Sequence, residues 1–187
     1  MESYQITKWC HHFLREHVRP GDLCIDATMG RGQDTQLLCE LAGPKGGVLA
    51  FDIQEEALVS TQQRLLDAGV PKNYELYCRS HVHMSEYVQE ESVSCIVFNL
   101  GYLPGGDHRM ATKAKSSVEA LEQGLRLLRK GGIISLCIYS GKDSGYEERD
   151  RVMEYLKTLD YRRYLVICSL YYNRPNDPPI PVLVVRL

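Results

Sequence analysis

The sequence predicts an α/β chain: a seven-stranded, mostly parallel sheet with an antiparallel last strand and helices on both faces. Three observations carry this. Short apolar runs rich in β-branched or aromatic residues recur at 22–27, 47–52, 73–78, 93–98, 132–139, 163–170 and 180–186. Helical spacing fills the gaps between the first six, at 33–42, 54–68, 82–88, 116–129 and 146–158. The last two runs are joined instead by a Pro/Asn-rich loop, 172–179. Strands alternating with helices make a parallel sheet covered on both sides, and a connection without a helix makes a hairpin return.

Each element has its own warrant. Residues 3–19 space Ile6, Trp9, Cys10, Phe13, Leu14 and Val18 as one helical face, and Pro20-Gly21 ends it. This helix precedes the first strand and is expected to cover the sheet, within a single domain spanning 1–187. The length of 187 residues suits one core, and 44% hydrophobic with 25% charged residues is an ordinary globular balance. A net charge of −2 argues against a generic polyanion binder, which needs many cations to displace phosphate counterions, but leaves room for a local basic patch. The seven cysteines never form a CxxC pair and sit largely in apolar runs, so they read as reduced core thiols, with no metal site. The first residues lack a basic stretch followed by an apolar core, and no apolar run reaches the roughly 18 residues of a membrane span. A cytoplasmic protein with no membrane partner is the expectation.

The first strand runs into Asp26-Ala27-Thr28-Met29-Gly30-Arg31-Gly32-Gln33-Asp34-Thr35 and then directly into a helix. Such a turn lies at the carboxyl edge of the sheet, where open α/β folds bind ligands. Gly30 and Gly32 admit backbone conformations closed to other residues and let N–H groups approach a ligand. The third glycine of a dinucleotide fingerprint is missing, which disfavours NAD. Asp26 would repel a diphosphate and favour an ammonium or sulfonium cation. Its simpler role is an Asx turn or helix cap. Asp52 ends the second strand 20 residues beyond Gly32, the distance at which an acidic residue commonly accepts from ribose hydroxyls; alternatively it caps the helix from Gln54. Ser80 and His81 follow the third strand, at the edge bordering an adenine, although His81 would serve equally as a satisfied surface histidine.

The fourth strand ends in Phe98-Asn99-Leu100-Gly101-Tyr102-Leu103-Pro104-Gly105-Gly106-Asp107, a loop long enough to be functional. The Asn99 side-chain oxygen and the Leu100 carbonyl suit an incoming amine, accepting its N–H protons and directing its lone pair at an electrophile. Tyr102 offers a ring to stack on a base, and Pro104, Gly105 and Gly106 shape the backbone.

Six parallel strands plus a terminal antiparallel hairpin resemble the Rossmann-like class I methyltransferase fold. The three motifs together, with Phe51-Asp52-Ile53-Gln54, closely resemble the bacterial MnmM (YtqB-type) methyltransferases, formerly labelled rRNA methylases. The resemblance runs over nearly the whole chain, including Tyr139, Gly141, Gly145, Glu148 and Asn173 to Pro179, with Lys142 and Arg174 standing where the family pattern has His and Gln. It implies S-adenosylmethionine-dependent N-methylation of 5-aminomethyl-2-thiouridine at the tRNA wobble position. On this reading Asp26, Thr28, Gly30, Gly32, Gln33, Asp34, Thr35, Asp52, Gln54, Ser80, His81 and Asn99 bind the cofactor, and Asn99, Leu100 and Tyr102 are catalytic. Tyr102, Pro104, Gly105, His108, Arg109, Lys113, Lys142 and Arg174 contact the anticodon region of tRNA, with Lys115 a further phosphate candidate. Lys157, Arg162 and Arg163 fall towards the opposite strand ends. A homodimer is compatible with the sequence. The competing functions are an rRNA or small-molecule amine methyltransferase and a non-catalytic S-adenosylmethionine-binding protein.

Overall fold

A computed structural model describes residues 4–101, 114–140 and 145–187. The strands are β1 (Leu23–Asp26), β2 (Gly47–Asp52), β3 (Tyr74–Cys78), β4 (Val93–Leu100), β5 (Leu128–Ile138), β6 (Tyr164–Cys168) and β7 (Ile180–Arg186). They form one sheet in the order β3-β2-β1-β4-β5-β7-β6. Neighbours from β3 through to β5 pair in parallel, and β7 inserts antiparallel between β5 and β6, as the helix-free connection requires. The helices are α1 (Ile6–His17), α2 (Gln33–Ala42), α3 (Glu55–Ala68), α4 (Ala114–Leu127) and α5 (Gly145–Lys157).

Alternation along the strands sends side chains to two cores. On one face Ile25, Phe51, Ile96, Phe98, Ile134 and Leu136 pack with Ala120, Leu121 and Leu125 of α4 and Val152 and Leu156 of α5. On the other, Cys24, Val48, Cys95, Val97 and Ile133 meet Leu37 and Leu38 of α2, Leu65 of α3 and Leu14 of α1. Leu14 is fully buried, so α1 does cover the sheet, and the Trp9 indole N–H donates to Ser169 Oγ at 2.9 Å. Burying one such leucine contributes about 2 kcal/mol. No helix among the described residues is long and apolar enough to cross a membrane.

The structure departs from the sequence expectation in three places. The stretch 82–88 is a short 3₁₀ segment, His81–Glu86, with Ser80 at its N-cap accepting from Val82 N. Residues 128–131, whose apolar start continues the helical spacing, already belong to β5: Leu128 pairs with Val93, and the register slips once before Cys95 pairs with Ile133. Gly131, with φ of 74°, takes up the slip in a conformation that other residues adopt only at a cost. Of the seven cysteines, all free, Cys78 and Cys168 are exposed, because they end the two edge strands β3 and β6.

Candidate functional site

The parallel strands place Asp26, Asp52 and Asn99 at one edge of the sheet. After β3 the chain crosses back to lay β4 on the far side of β1, so β1 and β4 flank the point where strand order reverses. Ligands of open α/β sheets sit in the crevice at such a point.

The turn after β1 is built by side chains bonding to backbone. Gly30 and Gly32 take φ of 49° and 74°, as a turn that tight demands. Gly32 has a second reason: a Cβ there would lie 2.8 Å from Thr61 Cγ2 and 3.0 Å from Thr61 Cα, so α3 packs directly on the turn. The Gly30 carbonyl accepts from Thr61 Oγ1 at 3.2 Å and Ser60 Oγ at 3.3 Å, and Arg64 Nε donates to the Arg31 carbonyl at 2.6 Å. Asp52 spans two loops, accepting from Gly30 N at 3.0 Å and from Gln54 N at 3.0 Å. The second bond is an Asx turn rather than a cap, since Gln54 itself occupies the N-cap position of α3.

Asp26 is fully buried beneath this turn. Its carboxylate accepts from Thr35 Oγ1 at 2.6 Å and Thr28 N at 3.2 Å, tying the start of α2 to the end of β1. Burial, reinforced by the neighbouring charge of Asp34, pushes its pKa up to about 7 against the opposing effect of those two bonds. Asp26 is thus a carboxylate held below the turn, with its two hydrogen bonds directed to protein groups. Gln33, the first residue of α2, is exposed.

His81 is also buried, 8% exposed. Its Nδ1 lies 3.1 Å from the Ala27 carbonyl and so carries the proton, which leaves Nε2 a bare acceptor. No partner meets that nitrogen within the described residues. Burial lowers the histidine's pKa, so the ring is neutral at physiological pH. A buried acceptor without a donor is costly unless a ligand or water supplies one.

Across the crevice, the Asn99 backbone N–H donates to Thr28 Oγ1 at 2.7 Å, fastening the end of β4 to the turn after β1. Its side-chain amide donates to Asp34 Oδ2 at 2.6 Å. Asp34 Oδ1 in turn lies 2.5 Å from His11 Nε2 of α1. Of the two acceptors expected to meet an amine, the Leu100 carbonyl already accepts from Tyr139 N at 3.0 Å and Leu100 is fully buried, whereas Asn99 is half-buried. Tyr102, Pro104, Gly105, His108, Arg109, Lys113 and Lys142 lie outside the described residues. Lys115, near the start of α4, and Arg174 are exposed. The pairing of Ile138 with Ile180 brings the 172–179 loop to the same edge as Asn99, and Tyr146 Oη donates to Asp177 at 2.8 Å. Lys157, Arg162 and Arg163 lie at the opposite edge, before β6 begins. Among the described residues no group of three or more His, Cys, Asp or Glu gathers as a metal site.

Sequence spacing brings Asp26, Asp52, His81 and Asn99 to one edge, and the structure places them there. It adds His11, whose sole sequence signal is its place on the first helix.

The family model described as "Putative rRNA methylase" matches residues 48–185. The Arabidopsis thaliana chloroplastic tRNA (mnm(5)s(2)U34)-methyltransferase is 34% identical over 189 residues, covering 96% of this chain and 69% of that protein. A ubiquinone/menaquinone C-methyltransferase of Legionella pneumophila is 29% identical over 66% of this chain and 45% of its own length. Among solved structures, a Clostridium thermocellum protein named as a "putative rRNA-methylase" superposes with a TM-score of 0.96 at 36% identity, each chain covered completely. A Streptococcus mutans protein described as a "putative methyltransferase", solved in complex with SAH, gives 0.89 at 32% identity over 99% of both chains. With the fold, the carboxyl-edge site and these likenesses in agreement, the chain belongs to the methylase family whose model covers 48–185, a family of class I, Rossmann-like methyltransferases.

Proposed function

We propose that the protein methylates the amino nitrogen of 5-aminomethyl-2-thiouridine at the wobble position of tRNA, using S-adenosylmethionine and giving 5-methylaminomethyl-2-thiouridine. The observation that carries this is Asn99: its amide N–H is committed to Asp34, so its oxygen is the group left to accept N–H protons beside the glycine turn. The Arabidopsis relative, named for methylation at this nucleoside, supports the same substrate.

The residues present fit the cofactor. The backbone of Gly30 and Gly32, with Thr28, Gln33 and Thr35 around the turn, is placed for the methionine end. Asp52 and the neighbouring Gln54 are placed for the ribose. The bare Nε2 of buried His81, beside Ser80, is an acceptor waiting for a donor. Asp26, Asp34 and Asp52 converge their charge on the turn, which suits a cation better than a phosphate.

S-adenosylmethionine supplies a methyl group on a positively charged sulfur, already activated, so the protein's task is alignment. Holding nucleophile and electrophile in line is worth on the order of 7–11 kcal/mol in well-oriented model reactions. Asn99 Oδ1 holds the amine by an N–H bond and turns its lone pair toward the methyl. Tyr102 stacks on the thiouracil ring. The amine attacks as the free base, its ammonium proton having left to water. Arg174 and Lys115, with His108, Arg109, Lys113 and Lys142, meet the phosphates of the anticodon arm.

The test is incubation with S-adenosylmethionine and tRNA from a strain whose wobble uridines stop at the aminomethyl stage, followed by nucleoside mass spectrometry. One added methyl on that nucleoside is the expected result. An unchanged nucleoside, with cofactor binding intact by calorimetry, removes the tRNA assignment. Methylation of rRNA in a parallel reaction replaces it with the substrate that the family description names.

A further inference from the structure

The first helix reaches the site through a two-bond chain. His11 Nε2 lies 2.5 Å from Asp34 Oδ1, and Asp34 Oδ2 lies 2.6 Å from Asn99 Nδ2. The two side chains that make the first contact are 20% and 13% exposed, so water competes weakly for either bond.

The chemistry of the middle member dictates the orientation of both ends. An ionised carboxylate only accepts hydrogen bonds. His11 must therefore present N–H at Nε2, which it does in the matching neutral tautomer as well as when protonated. Asn99 must present its NH₂, because a flipped amide would set oxygen against oxygen. With the Asn99 backbone pinned to Thr28 Oγ1, one orientation survives, and in it Oδ1 points away from Asp34. Without His11, one Asp34 oxygen loses its partner and the carboxylate is free to turn toward solvent, releasing the amide it holds.

We infer that His11 is a positioning residue: through Asp34 it locks the Asn99 amide so that its oxygen meets the substrate nitrogen. This rests on reading Asn99 as the acceptor of the amine. It gives α1, whose Leu14 merely covers the sheet, a part in turnover. Asp34 then serves the substrate side of the crevice, holding a side chain of β4 from the first turn of α2.

The test compares His11→Ala with His11→Gln, because glutamine places an N–H donor near the position of Nε2. Four quantities are read: kcat, KM for aminomethyl tRNA, Kd for S-adenosylmethionine, and the side-chain amide signals of ¹⁵N-labelled Asn99, identified by their loss in Asn99→Ala. His11→Ala is expected to lower kcat about ten- to hundredfold while KM and Kd stay within about threefold. Its Asn99 amide protons should lose the downfield shift and slow exchange that a carboxylate partner confers, and His11→Gln should restore both kcat and signals. The inference is overturned if His11→Ala keeps kcat within about threefold with the amide signals unchanged. It is equally overturned if kcat and Kd fall together with thermal stability and glutamine rescues nothing, since that describes a helix-packing residue. The amide signals need no substrate, so they decide whether His11 holds Asn99 even if the wild-type protein leaves the aminomethyl nucleoside untouched, a result that would sink the substrate reading alone.

Discussion

The two sides of the crevice are built differently. On the side of β1, β2 and α3, the turn is cross-braced: Asp26, Asp52, Ser60, Thr61 and Arg64 all bond to its backbone or to the residues at its ends. Removing any one leaves others in place. On the side of β4, Asn99 has its backbone N–H bonded to Thr28 Oγ1 and its side-chain amide held by a single bond to Asp34. The braced side has the properties of a binding surface whose shape tolerates little change, while the other concentrates orientation in one amide. Mutation should therefore separate binding from turnover according to which side it strikes.

The sharpest break is Asn99→Ala. It removes the acceptor and leaves the braced turn intact, so kcat should fall by about a hundred- to a thousandfold, the usual cost of deleting one positioned polar group at a reacting centre. Cofactor affinity measured by calorimetry should move by less than about threefold. A parallel loss of binding would mean that Asn99 belongs to the cofactor side, erasing the distinction.

The complementary break is Gly32→Ala. The methyl would meet Thr61 at 2.8 Å, and a φ of 74° is itself unfavourable for alanine. Overpacking and the left-handed backbone together should destabilise the fold by about 2–3 kcal/mol, read as a drop in denaturant midpoint at constant slope. Thr61→Ala in the same chain should recover part of that loss by removing Cγ2 and Oγ1.

The braced side was also the more legible. Glycines at 30 and 32, a carboxylate at the end of each of two strands and helical spacing directly afterward are local signals, and each turned up at the expected edge. Asn99 was legible for the same reason, as a polar residue near the end of a largely apolar strand. What the sequence hid was pairing at a distance. His11 and Asp34 are 23 residues apart and Asp34 and Asn99 are 65 apart, and only the path of α1 across the sheet brings the first two together. Local boundaries failed where one pattern ran into another: Leu125, Leu127 and Leu128 continue a helical stripe, yet Leu128 pairs with Val93, because strand pairing outweighs helix propensity once the backbone is at the sheet. The 3₁₀ turn at His81–Glu86 replaced a helix for a related reason, with His81 drawn inward by the Ala27 carbonyl.

A milder perturbation sharpens the comparison within the braced side. In Asp52→Asn a single amide oxygen must serve the N–H groups of Gly30 and Gln54, both of which the carboxylate satisfies now. It also gives up the charge that ribose hydroxyls would meet. Hydrogen bonds to charged groups are worth about 1.5–3 kcal/mol, so cofactor Kd should rise about ten- to hundredfold. At saturating cofactor, kcat should stay within about threefold of the wild type, the reverse of the Asn99→Ala pattern.

The smallest effect isolates the one charge that lies beneath the turn. With a pKa of about 7, Asp26 is mostly protonated at pH 6 and mostly ionised at pH 8. Because the folded value is raised above that of the unfolded chain, its contribution to stability is full below about pH 4 and is lost as pH climbs through 7. Ligand binding runs the other way. A cation seated on the turn favours the ionised carboxylate, so binding should strengthen between pH 6 and 8 by up to about tenfold, with release of up to one proton per cofactor bound. Burial lowers the pKa of His81, which moves its titration away from that of Asp26. The cofactor's own amino group titrates nearby, so the informative quantity is the wild-type affinity divided by that of Asp26→Asn at each pH. Asparagine keeps a hydrogen bond to Thr28 N through its oxygen and can donate to Thr35 Oγ1, preserving the brace while removing the titration. A ratio that rises with pH, together with proton release seen by calorimetry in buffers of different ionisation enthalpy, assigns the charge under the turn to the cation above it. A flat ratio would reduce Asp26 to a strut of the β1–α2 turn and leave Asp52 as the carboxylate on the braced side that the cofactor meets.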